Sequence, residues 1–439
     1  MRFPTRPEEV EIVGTQPITL EQALALARRN NRDLQVAELE LARREAELRE
    51  VRAQLYPTLD ASSSLTAQEG IETQTTQIDP TTGQPTIVQE DNAVDFTFGA
   101  DLQVNYALFT SGRRPALIRA AEGQVRSQEL QVEALVEQLR FDVTDEYYDL
   151  QESDENVRIA GTTVEQAEQS LRDAQALENA GVGTRFDVLQ AEVDLANFRQ
   201  ELTQAISDRE IARRQLAQRL SLAETADITT ADPVEVSDSW ELSLEESIVL
   251  AYRNRAELEQ QLVQRYISQQ QRRAARAEVL PQVSLVAGYG IQDTIDEDDE
   301  FRDNFSIGAQ LQWRLFDGGA SRASADQSEI DAAIAEERFA DTRNRVRFEV
   351  EQSYFSLQSN FDNIQTATLA VSQANEALRL ARLRFGAGVG TQTDVLRSQT
   401  ELAEAELNLV RAILGYNRSL VALQRAVSNF PTARLTDIR

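Results

Sequence analysis

The side chains in this 439-residue chain that could do chemistry are almost all carboxylates. Asp and Glu number 73, the 44 basic residues are all Arg, and there is no Cys, His or Lys. That removes most catalytic nucleophiles and general bases, and with them the thiolate and imidazole metal ligands. The densest acidic run, Asp296-Glu297-Asp298-Asp299-Glu300, lacks the ligand spacing and the glycine of an EF-hand loop, so it reads as a solvated loop before it reads as a calcium site. Other carboxylates lie among charged helix surfaces with no Gly-rich phosphate loop beside them, and no catalytic centre, metal site or cofactor is predicted. The net charge of -29 argues against nucleic acid as a partner, because displacing counterions from phosphates needs a concentrated basic face. Two carboxylates are singled out by position: Asp187 and Asp394 each follow a Gly-Val-Gly-Thr turn by three residues.

Those two turns are equivalent points of an internal repeat. Ile18 to Leu65 aligns with Leu242 to Tyr289 at an offset of 224, which pairs Ala27, Arg29, Asn30 and Leu34 with Ala251, Arg253, Asn254 and Leu258. From Phe98 to about residue 220 the offset is 207. It pairs Tyr147 with Tyr354, the turn Gly181-Val182-Gly183-Thr184 with Gly388-Val389-Gly390-Thr391, and Asp187-Val188-Leu189 with Asp394-Val395-Leu396. The first copy carries 17 more residues between Pro57 and Phe98, including the polar segment Thr73 to Asn92, expected to be an exposed loop. The predicted organisation is an N-terminal segment 1–17, repeats at 18–230 and 242–428 around a linker 231–241, and a tail 429–439. Two copies favour a pseudo-twofold subunit that oligomerises over a solenoid.

Each copy reads as a helix, a strand pair, a very long helix, a glycine turn and a returning helix. Strands are predicted at about 58–69 and 94–109, and again at about 282–293 and 303–316. In one of them Phe96, Phe98, Ala100, Leu102, Val104, Tyr106 and Leu108 alternate with Thr97, Asp101, Gln103 and Asn105. Its counterpart sets Phe305, Ile307, Ala309, Leu311, Trp313 and Leu315 against Ser306, Gln310, Gln312 and Arg314. No stretch approaches the roughly 18 apolar residues of a membrane-spanning helix, so membrane insertion would have to use strands. Asp60, Asp101 and Arg314 all fall on the polar side, as a water-filled barrel requires, since a charge facing lipid at mid-bilayer costs about 2–4 kcal/mol. An amphipathic sheet on a soluble core is the other reading. Against it, the remaining sequence offers no apolar surface for such a sheet to cover, and an open sheet leaves edges unpaired.

The long helices are predicted at 113–179 and 320–386, each roughly 100 Å at the usual rise. Tips follow at 180–184 and 387–391, with return helices at 185–220 and 392–427. Val157, Ala160, Val164, Ala167, Leu171, Ala174 and Leu177 form a heptad seam, answered on the return helix by Val188, Ala191, Leu195, Phe198, Leu202 and Ala205. Each copy is thus an antiparallel coiled-coil hairpin, fit either for the wall of a tube or for a two-helix stalk. Tyr147-Tyr148 and Tyr354-Phe355 are expected to serve helix packing. The start Met1 to Pro7 has no apolar h-region, and a secretory signal is expected to have been removed.

In the order of its parts and in its paired Gly-Val-Gly-Thr turns, each followed by Asp-Val-Leu, the sequence resembles the TolC-like outer-membrane efflux and secretion channels. Leu55-Tyr56-Pro57, Leu280-Pro281, and the Leu-Phe followed by Gly at 108–112 and 315–319 strengthen the resemblance, which covers nearly the whole chain. It implies a fold of α plus transmembrane β: a homotrimer whose twelve strands form one barrel in the outer membrane of a Gram-negative-type cell, above a tapering periplasmic tunnel of helical hairpins. It also implies a periplasmic adaptor and, through it, an inner-membrane pump as partners. Carried over by position, Gly181, Val182, Gly183, Thr184, Gly388, Val389, Gly390 and Thr391 would be adaptor-facing tips. Asp187, Gln190, Asp394 and Arg397 would lie at the periplasmic aperture and gate it.

Each turn taken alone also reads as a plain chain reversal. Arg397 stands where relatives with a strongly acidic aperture carry a further Asp, and Asp394 and Arg397, three apart on a helix, are placed to pair. Two functions remain: a passive export duct for a tripartite efflux pump or a type I secretion system, and a trimeric coiled-coil scaffold or adhesin without a pore. The tall apolar band opposite a polar strand face favours the duct.

Overall fold

The computed structural model describes residues 6, 14–69, 74–78, 80–81, 83–89, 94–222, 226–294 and 302–428. The acidic run 296–300, the tail 429–439 and most of the segment 1–17 lie outside them. In chain order the elements are β1 (Thr15–Ile18), α1 (Leu20–Asn30), α2 (Arg32–Ala53), β2 (Thr58–Glu69), β3 (Gln74–Ile78), β4 (Pro85–Gln89), β5 (Val94–Phe109), α3 (Arg113–Asn179), α4 (Arg185–Arg219), β6 (Asp227–Thr230), α5 (Leu244–Asn254), α6 (Ala256–Ala277), β7 (Gln282–Thr294), β8 (Arg302–Gln312), α7 (Ala320–Gly386) and α8 (Gln392–Val427). They fall into two compact units. One comprises Met1–Ala42, Ser127–Leu262 and Glu336–Arg439, the other Arg43–Arg126 and Val263–Ala335.

The second unit holds an antiparallel sheet in the order β2-β5-β7-β8, so the two repeats meet where β5 pairs with β7. Register follows from the alternation, because a one-residue slip would exchange the two faces. One face runs Ala61, Leu102, Tyr289, Phe305 in one row and Leu59, Val104, Ala287, Ile307 in the next. The opposite face runs Ser62, Asp101, Gly290, Asn304 and then Asp60, Gln103, Gly288, Ser306. Leu59, Leu65, Phe305, Ile307 and Leu311 are each at least 64% exposed, so the apolar face is bare. Charge returns to it near the loop end of the strands, as at Asp293 and Asp303. Both outer strands, β2 with 12 residues and β8 with 11, have a hydrogen-bonded neighbour on one side only. Among the described residues, no helix is long and apolar enough to cross a membrane.

Two expectations need correction here. The last strand ends at Gln312 rather than at 316: Gln312 pairs with Gln282, the first residue of β7, and the preceding Pro281 has no N–H to carry the ladder further. Within the segment Thr73 to Asn92, expected as a loop, β3 and β4 form a hairpin from the pair Gln74 and Gln89 to the pair Ile78 and Pro85.

In the first unit the heptad seams pack as expected, with Val164, Ala167, Leu195 and Phe198 in one cluster and Ala174, Val188 and Ala191 in another. In the second hairpin Leu378, Ala381, Val395 and Leu402 do the same. The first helix of each copy is broken, at Asn31 and at Arg255, where the backbone turns extended. Asn31 caps α2, accepting from Leu34 N through Oδ1 (2.9 Å), and ties the break to the end of α4 by donating through Nδ2 to Arg219 O (3.4 Å). A short parallel pair, β1 with β6, lies within stretches expected as part of the N-terminal segment and the end of the first repeat.

Tyr147 does more than pack. Fully buried, its hydroxyl lies 2.9 Å from Asp232 Oδ2 and 3.0 Å from Ile18 O, and it accepts from Ala231 N and Asp232 N, each at 3.3 Å. Asp232 Oδ2 also accepts from Leu20 N at 2.7 Å. Burial pushes the Tyr147 hydroxyl well above its ordinary pKa, which keeps it a donor. The linker between the repeats is thereby tied to the end of β1. Tyr147→Phe strands these partners and is expected to destabilise by about 1–3 kcal/mol, whereas Tyr354→Phe at the equivalent position of the second copy should stay within about 0.5 kcal/mol. Thermal unfolding of the two variants checks this difference.

Candidate functional site

The two hairpin tips are built from the same parts. At the end of α3, Val182 N donates to Leu177 O (3.0 Å) and Gly181 N to Glu178 O (2.9 Å), the bond pair of a Schellman cap. Gly181 sits at φ +76°, in the left-handed region that favours glycine. Gly183 is needed for a different reason: a Cβ there would stand 2.9 Å from Leu177 Cβ and 3.0 Å from Glu178 N. The second tip repeats this. Val389 N donates to Arg384 O (3.0 Å), Gly388 N donates to Phe385 O (3.0 Å) with φ +71°, and Gly390 leaves only 3.1 Å to Arg384 Cβ. Val182 and Val389 end up at the apex, 75% and 70% exposed.

The helix beyond each turn opens with a capping box. Asp187 N donates to Thr184 Oγ1 (3.2 Å) while Thr184 N donates to Asp187 Oδ2 (3.1 Å), and Thr391 and Asp394 repeat the exchange at 3.2 and 3.1 Å. The hydroxyls of Thr184 and Thr391 also donate to those carboxylates, at 2.6 and 2.8 Å. These bonds from Thr391, with a smaller pull from Arg397 and Arg384, hold the Asp394 carboxyl below its ordinary pKa. The ion pair between Asp394 and Arg397 that their spacing allows is not formed: the carboxylate is committed to the cap, and Arg397 is exposed.

Gln190 and Arg397, the points where the tips diverge, differ in setting as well. Gln190 Nε2 donates to Asp194 Oδ1 at 2.9 Å. Asp194 is buried, its Oδ2 meets no protein partner, and burial raises its pKa. The stems of the two hairpins are joined by Gln399, a residue the sequence reading passed over, whose Nε2 donates to Ser170 Oγ at 2.9 Å. Its one signal was a polar residue among the buried positions of α8. The hydroxyls of Thr184 and Thr391 and the carboxylates of Asp187 and Asp394 are all engaged in the caps. The tips are stiff, capped, apolar-ended turns, suited to contact.

Long capped helical hairpins together with a four-stranded sheet that is apolar on one face and polar on the other define the TolC-like channel fold. Residues 23–221 and 247–429 match the outer membrane efflux protein family, and the chain belongs to that family. Among its relatives, the solvent efflux pump outer membrane protein SrpC of Pseudomonas putida is 25% identical over 414 residues, 93% of this chain and 84% of that protein. Outer membrane protein TolC of Vibrio cholerae is 27% identical over 128 residues, a match spanning 29% of this chain and 29% of TolC. The solved outer-membrane channel OprN superposes with a TM-score of 0.80 at 21% identity, covering 94% of this chain and 90% of that one.

Thr184→Ala and Thr391→Ala are each expected to cost about 1 kcal/mol, as lost N-caps do. Asp394→Asn should destabilise at pH 7, with a difference from the native chain that shrinks as pH falls. The sign follows from the depressed folded pKa: the carboxylate's contribution is present above its unfolded value of about 3.9 and is lost as pH falls through the lower folded value. Thermal melts across pH 3 to 7 read it out, and a difference that persists at the acid end would contradict the cap assignment.

Proposed function

We propose that this chain is one of three identical subunits of an outer-membrane export duct serving a tripartite efflux pump or a type I secretion system. The observation that carries the reading is the sheet: its apolar face is bare, its opposite face is polar, and its two outer edges are unpaired. Three copies joined edge to edge give a closed barrel of twelve strands, with the apolar face toward lipid and the polar face lining water. The duct performs no chemistry. Substrates pass through it, and the energy comes from an inner-membrane pump.

In this reading the tips at 181–184 and 388–391 meet a periplasmic adaptor, and Asp187, Gln190, Asp394 and Arg397 lie around the periplasmic aperture, which opens when the hairpins splay. Support comes from the tips' construction: both hairpins end in rigid double caps with an exposed valine, which presents a defined surface. The capping role of Asp187 and Asp394 leaves their carboxylates less free to form a plain acidic ring, in line with the Arg397 that departs from such a ring.

The polar sheet face carries Asp60 and Asp101, and the chain as a whole is strongly acidic, so the open pore should prefer cations. Reconstitution of the purified protein in planar bilayers tests both points. Step conductances with a reversal potential of cation sign in a salt gradient are expected, and Asp60→Asn with Asp101→Asn should weaken that preference. Anion preference would overturn the selectivity, and a water-soluble monomer without conductance would overturn the function.

A further inference from the structure

Among the described residues the polar face of the sheet carries Gly99, Gly288, Gly290 and Gly308, although a glycine inside a strand weakens it. The four are not alike. Nothing stands within 4 Å of where a Cβ of Gly308 would be. At Gly99 and Gly288 one hydroxyl overhangs the backbone, Ser64 Oγ at 3.3 Å from the Cβ position and Ser306 Oγ at 3.2 Å. At Gly290 two oxygens converge from the strands on either side: a Cβ there would stand 2.5 Å from Asp101 Oδ1 on β5 and 2.7 Å from Asn304 Oδ1 on β8. Asp101, Gly290 and Asn304 lie in one cross-strand row, so both side chains lean along it into the space that the missing side chain leaves. A need for a wide bore explains Gly308, which is open. It does not explain Gly290, which is filled.

Both converging atoms are acceptors, since a carboxylate has no donor to offer and the amide presents its carbonyl. Among the described residues no N–H or O–H donates to either oxygen. Arg302, two residues before Asn304 on the same face, has a partner of its own. The two distances put the oxygens at most about 5 Å apart. Hard cations such as Ca²⁺ take oxygen ligands at about 2.3–2.6 Å, so one ion can touch both. A water can donate to both as well, but only a cation also answers the charge of Asp101.

We propose that Asp101 and Asn304 form a cation station on the water side of the sheet, where a hard, partly hydrated cation sits over Gly290 between the two oxygens and keeps water as its remaining ligands. Gly290 is what makes this a site, because any side chain there would part the two ligands. The inference rests on the duct reading above and adds to its acidic lining a fixed position for the ion. In a trimer three stations stand at one height of the lumen, and a divalent ion held there slows the monovalent cations behind it. Asp60 supplies the contrast. It carries the same charge on the same face, but its neighbour across the strand pair is Gln103, with a full side chain, and the Thr58 hydroxyl of its own strand lies 3.4 Å away.

Ca²⁺ added to both sides of planar bilayers that hold the purified full-length channel in KCl tests the station. A saturable fall in unitary K⁺ conductance is expected. Gly290→Ala, whose added methyl meets only the ends of two flexible side chains, should still assemble, and its half-blocking Ca²⁺ concentration should rise about tenfold. Asp101→Asn should raise it at least as much. Asn304→Asp, which supplies a second carboxylate, should lower it about tenfold, and Asp60→Asn should leave it within about twofold. Equal effects of Asp60→Asn and Asp101→Asn, or a half-blocking concentration that Gly290→Ala leaves unchanged, would mean diffuse screening by the acidic lining and overturn the station. Conductance that Ca²⁺ does not reduce in the native channel overturns it too. A protein with no conductance at all overturns the duct reading itself, which keeps the two failures distinct.

Discussion

The structure depends on a constraint of backbone hydrogen bonding. A strand at a sheet edge carries a row of N–H and C=O groups that must find partners, and in lipid no water supplies them. Here the edges are β2 and β8, long and regular, on a sheet with one face apolar from Leu59 and Leu65 across to Ile307 and Leu311. Such a sheet is unsatisfied in water by its face and unsatisfied in lipid by its edges. Pairing β8 of one copy with β2 of the next resolves both, and the duplication sets the arithmetic by giving two strands per repeat.

The helical unit is organised by a different economy, in which equivalent positions of the two repeats are used unequally. The tips are near copies: both glycines of each Gly-Val-Gly-Thr turn are required, one for a left-handed φ and one for close approach, and both Thr residues cap with an Asp three residues on. Away from the tips the copies part. Tyr147 is a buried hydrogen-bonding hub with no equivalent network at Tyr354. The break at Asn31 is held by an amide, while the break at Arg255 is held by a buried guanidinium on Glu257 and Glu349. Burial alone would raise the Glu257 carboxyl, but Arg425 and Arg255 outweigh it and hold it at about 2. Near-identical tips on divergent stems fit a duct whose hairpins do one job at their ends and different jobs where they pack.

Much of this was legible in the sequence, for physical reasons that also explain what was not. The alternation from Phe96 to Leu108 and the heptads of α3 and α4 extend over many residues, so strand, helix and face could be read from period alone, and the repeat doubled each signal. β1 and β6 are four residues each and hold together through tertiary pairing, with no period to detect. The end of β8 is set by Pro281 on a neighbouring strand, which the local sequence of β8 does not record. At the tips, residue types and positions were read correctly as a turn opening a helix. The destination of each carboxylate was not, because Asp394 had both an N-cap at Thr391 and a cation at Arg397 within reach, and geometry chose the cap.

Amide hydrogen exchange of the detergent-purified protein, read strand by strand, tests the closed-barrel account most directly. If copies join edge to edge, the amides of β2 and β8 that point away from β5 and β7 are as protected as those of the two inner strands. Fast exchange confined to those outward amides, with β5 and β7 still protected, would mean an open four-stranded sheet and would contradict the account.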